Sequence, residues 1–193
     1  MTPVAIPITG EADADRLLQD EPLALLLGML LDQQVPMEWA FRGPHTLQER
    51  LGRPLDAADI AAMDPEELER VFREKPALHR YPASMAKRAH ALCATIVDEY
   101  DGDAAAVWTE ATDGADALNR LRALPGYGPE KSKILLAILG KRLGVALEGW
   151  EHAAEPFSGS TPRSVADVDS AESLEKVRAW KKAQKAKGKK KSE

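Results

Sequence analysis

Two segments constrain this chain before anything else does. Pro22 to Leu31 reads PLALLLGMLL, and Pro129 to Leu143 carries the unbroken apolar run Ile134 to Leu139. Each opens on a proline at a first-turn position, which suits a helix start. Pro36 breaks the first, and Gly144 closes the second. Helices this apolar have no wide polar face to give to water, so they belong in the middle of the molecule with other helices around them. Ala, Leu, Glu and Arg dominate the rest, aromatics are only 5% and β-branched runs are scarce. The fold class expected is therefore all-α and compact. At 193 residues with 44% hydrophobic content, one domain can bury roughly 70% of its unfolded surface. We read that domain as residues 1–180, followed by a basic flexible tail, 181–193.

The remaining pattern adds shorter helices. Thr9 caps a helix over Glu11 to Leu18, and Trp39 to Leu51 is helical with an interruption at Gly43-Pro44. Asp56 to Met63 and a helix capped at Asp64 and running to Phe72 precede a loop, Arg73 to Pro82. Ser84 caps a helix to Tyr100, and Asp103 to Thr109 and Gly114 to Ala123 follow. Glu155 to Arg163 reads as loop, Ser173 to Ala186 as a last helix, and Lys187 to Glu193 as disordered.

Several function classes fall away. Cys93 is the one cysteine, so neither a disulfide within the chain nor a four-cysteine zinc or iron–sulfur site can form. His45, His79, His90 and His152 have no metal-ligand spacing, and no metal site is expected. Met1 to Gly10 lack the basic and apolar regions of a signal peptide, and Leu23 to Leu31 is too short to span a bilayer. A cytoplasmic monomer with no membrane contact is the expectation. The formal net charge of −5 hides an asymmetry: from Lys176 onward there are nine basic residues and one acid, leaving 17 basic against 30 acidic before it. An acidic body of this kind contacts a polyanion locally or through its tail.

The most specific local signal is Leu124-Pro125-Gly126-Tyr127-Gly128-Pro129, a tight turn between two helices. Its glycines permit positive φ, and the following helix start leaves backbone N–H groups facing outward. Such a turn can bind a phosphate without reading sequence. It is equally an ordinary turn between two helices.

The whole segment, Leu-Pro-Gly-x-Gly followed by Ile134-Leu135-Leu136-Ala137, resembles the helix-hairpin-helix (HhH-GPD) superfamily of DNA glycosylases that includes endonuclease III. The likeness spans roughly residues 20 to 150 and extends to an actinobacterial-type subgroup lacking the iron–sulfur cluster. It implies an all-helical base excision repair glycosylase acting on double-stranded DNA that contains a damaged base. It also implies a catalytic carboxylate about twenty residues beyond the hairpin, which falls on Glu148. The apolar helix ending in glutamine matches Leu30-Leu31-Asp32-Gln33-Gln34, with Gln34 as the residue filling the gap left by a flipped nucleotide. DNA contacts then fall on Gln33, Gln34, Gly126, Tyr127, Gly128, Lys131, Lys133 and Arg80. Aromatics near these segments, Trp39, Phe41, Tyr81 and Trp150, are candidates for the base pocket, with core packing the alternative for each. No cofactor is implied beyond a monovalent cation at the hairpin carbonyls.

The chain departs from the family's bifunctional pattern at Glu130, which stands where a Schiff-base lysine would be. Lys131 comes one step later, about 100° around the helix. A monofunctional hydrolase without lyase activity is the reading that results. Glu151, Glu155 and Asp32 are the carboxylates next in line after Glu148. Two other classes stay open on the residues: a non-catalytic helix-hairpin-helix DNA-binding protein, and a helical protein-interaction domain.

Overall fold

A computed structural model describes residues 5–190, with side chains through residue 188. Among them are eleven α-helices and no strand: α1 (Ala12–Asp20), α2 (Pro22–Leu31), α3 (Met37–Leu51), α4 (Ala57–Ala62), α5 (Pro65–Arg73), α6 (Pro82–Tyr100), α7 (Ala106–Thr109), α8 (Gly114–Ala123), α9 (Pro129–Arg142), α10 (Trp150–Ala153) and α11 (Ala171–Lys190). A 3-10 turn at Val165–Asp167 precedes α11. None of these helices is long and apolar enough to cross a membrane.

The two apolar segments take the central places. Every residue of α2 from Leu23 to Leu31 is buried, as is α9 from Leu135 to Leu139. Helix α2 packs against α1, α3 and α6, and α8 and α9 form the helical hairpin. Burying one Leu or Ile side chain stabilises by about 1.5–3 kcal/mol, so these two helices anchor the fold.

Several boundaries differ from the sequence reading. Helix α3 runs through Pro44 without a break. Gly43 makes room for the neighbouring helix: a Cβ there would stand 2.5 Å from Leu31 Cδ1. Packing against α2 therefore offsets the missing backbone hydrogen bond. Helix α6 begins at Pro82 rather than at a Ser84 cap, and α1 begins at Ala12, with Thr9 Oγ1 accepting from Glu11 N. The basic run from Lys182 to Gly188 is exposed throughout, as a tail would be, but its backbone continues α11 as helix to Lys190. Residues 191–193 of the expected tail lie outside the described residues.

Candidate nucleic-acid interface

Three segments far apart in sequence meet at the C-terminal end of α2. The first is Asp32-Gln33-Gln34 itself. The second is the hairpin turn and the start of α9. The third is the loop Leu78-His79-Arg80-Tyr81 that enters α6.

Two hydrogen bonds, each spanning 101 residues, tie the hairpin to α2. Tyr127 Oη donates to the Leu26 carbonyl at 2.6 Å, and Lys131 Nζ donates to the Leu30 carbonyl at 2.9 Å. The Leu30 carbonyl is one of the last four of α2, which lack partners within the helix, whereas Leu26 lies in mid-helix. Gly126 adopts φ 82°, and a Cβ there would meet Leu30 Cδ1 at 2.3 Å. The turn therefore needs glycine both for its backbone and for its approach to α2. Gly126 and Gly128 are exposed, and neither N–H has an acceptor among the described residues. These are donors for an anion, although Glu130 stands exposed beside them.

His79 ties in the loop. Its ring is buried, with Nδ1 accepting from Tyr81 N at 3.0 Å. The proton is therefore on Nε2, which donates to the carbonyls of Leu31 at 3.1 Å and Gln33 at 3.0 Å. Burial chiefly holds its pKa below the usual 6.5, and the charges of Lys131 and Arg88 push the same way. Gln33 Nε2 reaches Met85 Sδ at 3.1 Å. The next residue, Gln34, is exposed and sits at φ 57°, a left-handed conformation that glutamine rarely adopts.

Two large apolar side chains are notably exposed, Trp39 at 38% and Tyr81 at 44%. Both flank His79, with ring centroids 6.4 Å and 6.1 Å away. Arg80 lies over the Tyr81 ring at 5.5 Å. The result is an aromatic and cationic ledge beside the glutamines.

The electrostatics of this end are unusual for an acidic body. Asp32 is partly buried at the C-cap of α2, and its desolvation raises its pKa above 3.8. Lys181 and Lys131 pull it down, and Glu38 pushes it up. Lys131 is half-buried, and its own pKa is lowered to about 8, mainly by desolvation, with Asp32 opposing and Arg88 assisting. A carboxylate and an amine, each drawn toward its neutral form by burial, thus act on one another through their charges at this end of the molecule. Clusters of this kind mark functional sites.

Several expected site residues are placed elsewhere. Tyr127 is buried, so its side chain is the hairpin's anchor and not a DNA contact. Phe41 is wholly buried, filling the space over Gly28 against Leu18, and has no face to offer a base. Trp150 packs its ring on Gly140 near the end of α9, with its backbone against Gly114. Glu148 is exposed in the same region, and its carbonyl accepts from Gly114 N at 2.8 Å. That hydrogen bond is at the start of α8, and the ten residues of α8 run about 15 Å to the turn. Glu148 therefore lies at the opposite end of the helical hairpin from Lys131 and Asp32. Lys133 is half-buried in α9.

The sequence pattern named Asp32 only as a later candidate. Its signal was its position, directly after the apolar helix and directly before the two glutamines. A cleft of about 400 Å³ lined by Leu18, Leu25, Trp108, Leu139 and Arg142 lies toward the start of α2 and the end of α9, away from this cluster.

No curated protein sequence matches the chain. Residues 27–193 match the family described as HhH-GPD superfamily base excision DNA repair protein, a span that takes in the second half of α2, the loop from Leu78 to Tyr81, the hairpin and α11. With the hairpin docked on the helix that leads into the two glutamines and more than half of its length matched, the chain belongs to the HhH-GPD superfamily of base excision DNA repair proteins.

Proposed function

We propose that this protein is a monofunctional DNA glycosylase that holds a flipped, damaged nucleotide of double-stranded DNA at the C-terminal end of α2, with Asp32 in the carboxylate role. The observation that carries this reading is the meeting of Asp32, the glutamine pair, the hairpin and the exposed aromatics at one end of the molecule. Glu148 stands outside that group.

Breaking an N-glycosidic bond sends the bonding electron pair to the leaving base and leaves positive charge on the sugar. A carboxylate beside the sugar stabilises that charge and accepts a proton from the attacking water. Its partial desolvation strengthens its field on the nascent cation. The base leaves the stack first. Gln34 enters the gap: its left-handed backbone turns an exposed side chain outward at the tip of the cluster. Such strain, about 1–3 kcal/mol, concentrates where function requires it. Trp39 and Tyr81 offer faces for the extruded base. Arg80, Lys133 and the free hairpin amides meet phosphates.

The protein acts as a monomer on nucleoid DNA in the cytoplasm. It falls with the cluster-free members of its family, because Cys93 is buried and alone. No step depends on a hairpin cation. The Leu124 carbonyl accepts from Tyr127 N, and the Gly128 carbonyl accepts from both Ser132 N and Ser132 Oγ, so these two oxygens fit a cation poorly.

Base release from a set of duplexes, each with one deaminated, oxidised or alkylated base, tests the reading. Asp32→Asn should slow release at least about 100-fold, the lower range for one catalytic group, while Glu148→Gln stays within about 3-fold. Asp32→Asn should also raise thermal stability at neutral pH, because it removes a desolvated charge. The sign follows from the raised pKa: the penalty is absent below 3.8 and grows as pH rises through the folded value. Loss in Glu148→Gln with Asp32→Asn intact would put the chemistry at the other end of the hairpin. Wild-type binding without release from any duplex would mark a non-catalytic DNA-binding protein.

Lys131 bears on the monofunctional assignment. Its ammonium is held by the Leu30 carbonyl, so borohydride should trap no protein on DNA. A trapped adduct that disappears in Lys131→Ala would make the enzyme a lyase.

A further inference from the structure

We propose that α11 is a phosphate-binding arm, in which Arg178, Lys181, Lys182 and Lys185 form one basic stripe that carries the interface from the α2 C-terminus onto the duplex backbone beside the flipped nucleotide. This inference rests on the DNA-binding reading above and adds a surface to it.

Register makes the stripe. At 100° per residue these four positions fall within a sector of about 100°, while Lys176 and Lys187 fall on the opposite side. The stripe is also aimed. Val177 is wholly buried against the body, and Arg163 lies 5.4 Å from the centre of the Trp180 ring. These two anchors fix the rotation of α11 about its axis. With that rotation Arg178 pairs with Glu38 of α3, and the charge of Lys181 reaches Asp32. The stripe thus begins at the Arg178–Glu38 pair, with Lys181 within Coulombic range of the candidate carboxylate. Beyond Lys181 the helix leaves the body, and Lys182 and Lys185 are exposed.

Charge names the occupant. The first 175 residues hold 17 basic and 30 acidic groups, a body that repels a polyanion. Arg178 and Lys181 offset the two acids nearest the interface, Glu38 and Asp32. Lys182 and Lys185, exposed and in no ion pair among the described residues, remain for the phosphates that follow. Arg178 to Lys185 covers about 10 Å of helix, against 3.4 Å of duplex axis per phosphate on one strand, so about three phosphates lie within reach.

The test uses the full chain and an undamaged duplex, with binding followed by fluorescence anisotropy over a range of salt. The triple variant Lys181→Gln, Lys182→Gln, Lys185→Gln removes the charge and keeps helix-forming side chains. The plot of log affinity against log salt should become shallower by about 1.8, close to 0.9 for each of the two phosphates that Lys182 and Lys185 no longer neutralise. Lys187→Gln, on the opposite side, should leave the slope unchanged. An unchanged slope in the triple variant, or an equal change in Lys187→Gln, overturns the arm. Base release by the wild type at saturating protein is measured separately. Its absence would fail the glycosylase reading while the slope still reports on the arm.

Discussion

At the scale of single residues, His79 governs how the interface responds to acid. Protonation would place a hydrogen on Nδ1, which now accepts from Tyr81 N, and set donor against donor. The folded pKa lies below 6.5, the ordinary value, so the folded chain binds fewer protons than the unfolded one. The stability this histidine contributes is therefore present above pH 6.5 and is lost as pH falls through the depressed folded value. His79→Leu keeps the bulk but removes the donor to Leu31 and Gln33. It should cost about 1–3 kcal/mol at neutral pH, the penalty for leaving the Gln33 carbonyl unpaired, since the Leu31 carbonyl still accepts from Gln33 N at 2.8 Å. It should also flatten the fall in stability on acidification below pH 6.5. Urea unfolding over a pH series checks this, and matching acid limbs for the two proteins would show that His79 is not the sensor. Lys131 and Arg88 are the charged groups facing the ring from α9 and α6. Cys93 stands in contrast, because burial pushes its thiol up to about 12 and leaves it inert.

At the scale of elements, the α8–α9 hairpin separates anchoring from binding. Tyr127→Phe deletes one buried hydrogen bond to Leu26 and should cost about 0.5–1.5 kcal/mol, with DNA affinity unchanged. Gly126→Ala acts differently. Its positive φ costs an L-residue about 1–2 kcal/mol, and its Cβ must displace Leu30, adding about 1–3 kcal/mol of overpacking. Because Leu30 leads directly into Asp32 and the glutamines, this substitution should weaken DNA binding as well as stability. Denaturation and anisotropy on the two variants give the comparison, and intact affinity in Gly126→Ala would detach the hairpin from the interface. The docking of the turn was not legible in the sequence. Its glycines and flanking helices were, because turn chemistry is local, but the bonds to Leu26 and Leu30 are not.

At the scale of the whole molecule, the charge division acquires a geometry. Residue composition separates an acidic body from a basic end. It does not tell that the basic end is helical to Lys190 or that its rotation brings Lys181 toward Asp32. A half-buried ion pair keeps the chain before α11 in place. Lys141 Nζ bonds Asp167 and the Gly159 carbonyl, each at 2.6 Å, and Asp167 accepts from Arg163 N and Ser164 N at 3.0 Å. This network closes the loop between α10 and α11 and so sets the direction in which the arm departs.

The all-helical class, the central place of α2 and α9 and the hairpin's position could all be read from the residues alone, and so could the family likeness. Each depends on spacing within one or two helical turns: apolar period, a proline at a helix start, two glycines in a turn. Which aromatics face outward could not be read, and Phe41 and Trp150 went to packing while Trp39 and Tyr81 did not. Nor could the surroundings of each carboxylate. Distance along the chain favoured Glu148, yet only folding decides how much water and which cations a carboxylate keeps around it. Desolvation and Coulomb fields depend on neighbours in space, and the charges that act on Asp32, those of Lys131, Lys181 and Glu38, enter from α9, α11 and α3, helices that no local pattern connects to the end of α2.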